Sequence, residues 1–173
     1  MLTELPEYPW DAMAPYVAQA KAHPGGAIDL SIGSPVDPTP AVIRDALAQA
    51  TDSHAYPTTI GTPALREAIA DWFARRRGVT GLGVENVLPT IGSKEFVAWL
   101  PFMLRLGQGD VVVHPTAAYP TYDIGARMAE ATPFPSDDPA QWPENTKLVW
   151  LNSPGNPDGR VLDKVQLKAR VDR

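Results

Sequence analysis

Three consecutive valines, Val111-Val112-Val113, limit the folds open to this chain. A run with no polar residue on either face reads as a strand buried on both sides, and such strands belong to parallel sheets covered by helices. Lys147-Leu148-Val149-Trp150-Leu151 repeats the pattern, and Asn86-Val87-Leu88-Pro89-Thr90-Ile91 reads as a further short buried strand. Ile28-Asp29-Leu30-Ser31-Ile32 alternates apolar and polar residues, which predicts a short strand there too.

The stretches between carry helical spacing. A first helix is expected from Pro9 to Ala22, with Trp10, Met13, Tyr16 and Val17 facing inward. Thr39-Pro40 and Thr62-Pro63 each place an N-cap before a proline at the first helical position. Ile43, Ala46, Leu47 and Ala50 form the apolar stripe of one helix; Leu65, Ile69, Trp72 and Phe73 form that of the other, which ends at Gly78. Ser93 reads as the N-cap of a helix carrying Phe96, Val97, Leu100 and Leu104, and another helix is expected from about Pro120 to Ala131. Strands alternating with helices give an α/β class: a mostly parallel sheet between helical layers, α/β/α.

Composition removes several functions. The net charge of −5 argues against a general nucleic-acid or anionic-membrane binder. The one basic run, Arg75-Arg76-Arg77, falls where it complements the negative end of a helix. With no cysteine there is no disulfide framework, thiol nucleophile or cysteine metal site. No signal-peptide pattern or long apolar span is present, so a cytoplasmic protein is expected. The 19 prolines sit mainly at helix starts and turns and read as fixed corners of an ordered chain.

Chemistry gathers at three places. Thr90-Ile91-Gly92-Ser93-Lys94-Glu95 joins a strand to a helix through a glycine, which leaves backbone N–H groups pointing out of the helix start with the positive dipole end behind them. That arrangement suits a phosphate, to which Ser93 adds a hydroxyl and Lys94 a charge. The stretch from His114 to Tyr122 and the loop Asn152-Ser153-Pro154-Gly155-Asn156-Pro157-Asp158-Gly159 likewise follow buried strands. Ligands of such sheets sit beyond the carboxyl ends of the strands.

Taken together these segments resemble the fold-type-I, class I/II pyridoxal-phosphate aminotransferases. The octet Asn152 to Gly159 is similar to that family's Asn-Pro-Thr-Gly loop. Tyr56 with Gly61 and Leu65-Arg66-Glu67-Ala68-Ile69-Ala70 resembles its tyrosine segment, and Ala118-Tyr119-Pro120-Thr121-Tyr122 its ring-stacking loop. With Asp29-Leu30-Ser31-Ile32-Gly33-Ser34-Pro35 added, the set is most similar to N-succinyldiaminopimelate aminotransferases of lysine biosynthesis, over roughly residues 10–162.

The resemblance implies pyridoxal 5'-phosphate as cofactor, with its phosphate held around Gly92, Ser93 and Lys94. It implies Tyr119 stacked on the pyridine face, Asn156 bonded to the ring oxygen, and Gly33 beside the substrate carboxylate. Tyr56 would reach the phosphate of a neighbouring subunit's cofactor, so the full-length protein would be a homodimer acting on small amino and keto acids. Arg66 and Arg160 are expected to be structural. Residues 1–35 would form an N-terminal arm and the start of a small domain, and residues 36–173 the amino-terminal part of the large cofactor-binding domain. In the family the Schiff-base lysine, the aspartate facing the pyridine nitrogen and the arginine gripping the substrate all lie downstream of the Asn-Pro loop. Lys21, Lys147, Lys164 and Lys168 occupy none of the matching positions, so no catalytic residue is expected here and the chain reads as an amino-terminal portion, inactive alone. Two alternatives stay open: a family member with another amino-acid substrate, or a carbon–sulfur lyase, and a non-catalytic cofactor-binding or regulatory module.

Overall fold

The computed structural model describes residues 5–173. Two compact units are present: one takes the chain up to Gln19 together with Thr90–Arg173, the other is Ala20–Pro89.

The first unit is built on a three-stranded parallel sheet. Strand β1 (Val111–His114) lies between β2 (Thr132–Pro135) and β3 (Thr146–Val149), and pairs parallel with both. All four residues of β1 are buried, as a valine run with neighbours on both edges should be. The pleat sends alternate valines to opposite faces. Val112 packs with Ala126 and Ala131 of the helical side, and Val111 and Val113 pack with Trp142, Phe134 and Val149 on the other.

Helix α5 (Thr121–Met128) covers the Val112 face and packs in turn on α4 (Ser93–Met103). Their closest approach is at Gly125, where an added Cβ would lie 2.9 Å from the Ala98 carbonyl oxygen. On the opposite face Trp142 is held by a short 3-10 turn, Pro139–Gln141, whose N-cap Asp138 accepts from Ala140 N–H at 3.0 Å. Helix α6 (Lys164–Val171) and the residues after it are tied to this turn, with Arg173 Nε donating to the Pro139 carbonyl at 2.7 Å. Its start is a capping box: Asp163 accepts from Gln166 N–H at 2.8 Å and Gln166 returns the bond at 3.0 Å.

The second unit contains α2 (Ala41–Gln49), α3 (Pro63–Arg77) and a 3-10 turn, Val84–Asn86; α1 (Pro9–Lys21) runs into it from the arm. The α3 boundaries are those expected: Thr62 Oγ1 accepts from Leu65 N–H at 3.3 Å, and Gly78 ends the helix with φ 65°. Arg66 is structural, as expected. Its guanidinium donates to the Val87 carbonyl at 3.0 Å and to the Val84 carbonyl, tying α3 to the 3-10 turn.

Several expectations are corrected. Residues 28–32 form no strand; Asp29 instead accepts locally from the Ser31 backbone at 3.0 Å and hydroxyl at 2.6 Å, and Ile28 and Leu30 are exposed. Residues 86–91 form none either. Pro89 has no N–H to offer a ladder, and Arg66 already takes the Val84 and Val87 carbonyls. Thr39 is not the cap of α2, which starts after Pro40 with no side-chain cap. Helix α1 forms, but Trp10, Met13 and Tyr16 are exposed instead of inward-facing. Among the described residues no helix is long and apolar enough to cross a membrane.

Candidate functional site

At the start of α4 the helix begins one residue earlier than expected. Gly92 is the N-cap, with φ 89° and ψ 151°, and no side chain caps it; Ser93 is the first helical residue. That backbone conformation is close to glycine-only. The Thr90 hydroxyl donates to the Gly92 carbonyl at 3.3 Å and helps hold the turn. The shift matters for the donor set. As an N-cap, Ser93 would turn its oxygen back onto the helix as an acceptor; as the first helical residue it leaves the initial N–H groups and its own hydroxyl free to face a ligand.

Lys94 is exposed, but its ammonium has a partner. Its Nζ donates to the Tyr8 hydroxyl at 3.3 Å and lies 4.7 Å from the centre of the Tyr8 ring. The Tyr8 hydroxyl, and then Tyr119, hold the ammonium above its ordinary lysine value. Tyr119 first, and then Lys94, hold the Tyr8 phenol below its ordinary value against the opposing effect of burial. Thr121 is 2% exposed, and its hydroxyl is buried without a hydrogen-bond partner. Lys94 is therefore met by a residue not assigned to the site from the sequence, Tyr8. No local pattern could have marked Tyr8, which meets Lys94 from 86 residues away.

Tyr119 also starts an aromatic path. It meets Tyr122 edge-on at 6.4 Å, and Tyr122 lies 5.1 Å from Trp150 at a tilt of 31°. Burial, followed by Tyr119, raises the Tyr122 phenol. Trp150 lines a cavity of about 70 Å³ beyond the carboxyl ends of the three strands, together with Pro115 after β1, Ser136 after β2 and Asn156. Asn156 thus sits where ligands of parallel sheets bind. Its loop staples itself: Gly155 N–H donates to the Arg160 carbonyl at 2.8 Å and Arg160 N–H to Asp158 at 3.1 Å, while Leu162 N–H donates to the Ser153 hydroxyl at 3.0 Å. The Arg160 side chain pairs with Asp158 at 3.8 Å, in keeping with a structural part.

Behind the Tyr119 loop, His114 Nδ1 lies 2.9 Å from the Pro115 carbonyl, with Nε2 buried 4.0 Å from Asp123. Asp123 is already taken by Arg127 at 2.6 Å, an i,i+4 pair on α5. Tyr56 and Gly33 belong to the other unit, where both are exposed and Tyr56 fully so.

The donor set suits a phosphorylated aromatic ring. It offers unpaired N–H groups at a helix start, a serine hydroxyl, an ammonium, an orphaned buried threonine hydroxyl and a half-buried tyrosine. Fold and strand-end placement define a class, and comparison agrees: residues 26–173 match the class I and II aminotransferases, and the chain belongs to that family. Its members depend on pyridoxal phosphate.

Among individual relatives, the chain is 54% identical to the 4-dedimethylamino-4-oxo-anhydrotetracycline transaminase OxyQ of Streptomyces rimosus over 171 residues, 98% of this chain and 47% of that protein. It is 36% identical to an LL-diaminopimelate aminotransferase of Desulforudis audaxviator over 186 residues, again 98% of this chain and 47% of that protein. An aminotransferase crystal structure from Neisseria meningitidis superposes with a TM-score of 0.86 at 30% identity, covering 99% of this chain and 48% of the other. The chain spans about half the length of the relatives it matches.

Proposed function

We propose that this chain supplies the phosphate- and ring-binding side of a pyridoxal-phosphate aminotransferase site. The observation that carries the reading is the uncapped α4 start, opened by Gly92 and flanked by Lys94 and Tyr119. In this reading the N–H groups around Gly92, Ser93 and Lys94 and the Ser93 hydroxyl donate to the phosphate oxygens, and the Lys94 ammonium offsets their charge. Tyr119 packs on the ring face. Asn156 donates to the ring oxygen and favours its ionised form. Bound there, pyridoxal phosphate supplies the electron sink for amino-group exchange.

Gly33 takes a place beside the substrate carboxylate. Tyr56, fully exposed, reaches a phosphate held by a second subunit, so the whole protein works as a cytoplasmic homodimer. Residues 1–35 are assigned to an arm and the start of a small domain, and residues 36–173 to the large domain. No catalytic residue is assigned within these 173 residues.

The substrate pair we propose is glutamate and an N-succinylated amino-keto acid of the diaminopimelate route to lysine. The motif set supports it, as does 36% identity to an LL-diaminopimelate aminotransferase. A second reading keeps the reaction and changes the acceptor to an oxo-anhydrotetracycline, favoured by 54% identity to the transaminase OxyQ.

A protein of the relatives' full length that carries this chain, loaded with pyridoxal phosphate and given glutamate, should aminate N-succinyl-2-amino-6-oxopimelate. Transfer only to the oxo-anhydrotetracycline would move the assignment to the second reading. No transfer to any keto acid would remove the aminotransferase reading. Ser93→Ala should loosen cofactor retention about tenfold or more, the loss of one hydroxyl donor to a charged group, read by equilibrium dialysis.

A further inference from the structure

The contact between the arm and α4 is not explained by the cup alone. A lysine on the first turn of a helix usually extends into water and keeps its rotamer freedom. Here Lys94 is fixed twice by one side chain, through the Tyr8 hydroxyl at 3.3 Å and the Tyr8 ring at 4.7 Å. Tyr8 is itself half-buried and meets Trp10, two residues on, edge-on at 6.2 Å. Tyr119, the residue assigned to the ring, has the largest influence on the Tyr8 phenol and lowers its pKa. One arm residue thus touches the charge of the cup and neighbours its aromatic wall.

We infer that Tyr8 is a positioning residue for the cup: through its hydroxyl and ring face it seats the Lys94 ammonium at the α4 start, and so couples docking of the arm to binding of a phosphate monoester there. The inference rests on the phosphate-cup reading given above. Its physical content is a linkage between two events at one place. An anion at the helix start meets a cation whose freedom Tyr8 already limits, and the arm, which holds that cation, is stabilised in return. Lys94, like any lysine, is charged throughout the neutral range, and the Tyr8 hydroxyl favours that form further. The cup therefore presents a fixed positive charge to a phosphate oxygen, where an untethered lysine would first have to be ordered.

The test measures binding of inorganic phosphate and of pyridoxal phosphate to the 173-residue chain and to Tyr8→Phe, Lys94→Met, the double variant and Ser93→Ala. Tyr8→Phe keeps the ring and removes the hydroxyl, and should weaken binding about threefold. Lys94→Met should weaken it about tenfold or more, as expected for a charged donor. The double variant should be no weaker than Lys94→Met alone, because Tyr8 acts through Lys94 and has nothing to act on once the ammonium is gone.

Phosphate should also slow amide exchange in residues 5–12 of the parent chain but not in Lys94→Met. That readout does not depend on any activity of the loaded protein. Additive losses in the double variant, or Tyr8→Phe binding as tightly as the parent, would reduce Tyr8 to a packing residue and overturn the inference. If Ser93→Ala weakens binding while Tyr8→Phe does not, the cup stands and only the arm coupling fails. If the parent chain shows no saturable phosphate binding, or Ser93→Ala leaves it unchanged, the cup falls and the inference with it.

Discussion

Gly92→Ala is expected to lower stability by about 1–3 kcal/mol, or else to lose most of the affinity for pyridoxal phosphate. The residue sits at φ 89° and ψ 151°, and nothing lies within 4 Å of an added Cβ. The penalty is therefore one of backbone conformation, with no side-chain clash to relieve. An alanine has two ways out. It can keep the native dihedrals and carry the strain, which lowers the melting temperature. It can instead rotate to negative φ, which turns the adjoining peptide groups and pulls the N–H donors at the α4 start off target. Thermal denaturation and a cofactor titration on the same variant tell the two apart. An alanine variant with parental stability and parental affinity would mean that this conformation is not required.

Gly125→Ala should destabilise the sheet-bearing unit by about 1–3 kcal/mol, although helix propensity alone favours the change by about 1 kcal/mol. The sign is decided by packing. The new Cβ would stand 2.9 Å from the Ala98 carbonyl oxygen and 3.1 Å from that of Val97, both backbone atoms of α4 that cannot swing aside as a flexible side chain can. Relief requires α4 to move away from α5, and α4 carries the cup at its start. The variant should thus lose affinity for pyridoxal phosphate as well as stability, while a change on the exposed side of α5 should affect neither. Chemical denaturation measures the first effect. A stabilised variant would show that the two helices do not meet as tightly at Gly125 as described.

Some of this was legible in the residues and some was not, and the difference is physical. Val111-Val112-Val113 announced a buried parallel strand because no face of it offers a polar side chain to water. Thr62-Pro63 and Gly78 marked both ends of α3 because capping is a local interaction, complete within a few residues. Strands, in contrast, need partners. Residues 28–32 and 86–91 have the right composition, but Asp29 and Arg66 divert their hydrogen bonds elsewhere. The two prolines of Thr132-Pro133-Phe134-Pro135 argue against a strand, yet β2 is an edge strand, where a missing N–H is tolerated. The Asp163-x-x-Gln166 capping box before α6 is local, and so legible from the residues alone. At the candidate site the sequence pointed to Gly92, Ser93, Lys94, Tyr119 and Asn156 and could not point to Tyr8, whose part depends wholly on tertiary contact.

The central claim is that the start of α4 binds the phosphate of pyridoxal phosphate. Its most direct test is a titration of the isotopically labelled 173-residue chain with that cofactor, followed at the backbone amides by NMR. The largest saturable shifts should fall on Gly92, Ser93 and Lys94, with ring-current shifts around Tyr119 and Asn156, and inorganic phosphate alone should reproduce the first group without the second. Saturable shifts centred on other segments, with the amides of Gly92 to Lys94 unmoved by either ligand, would contradict the account.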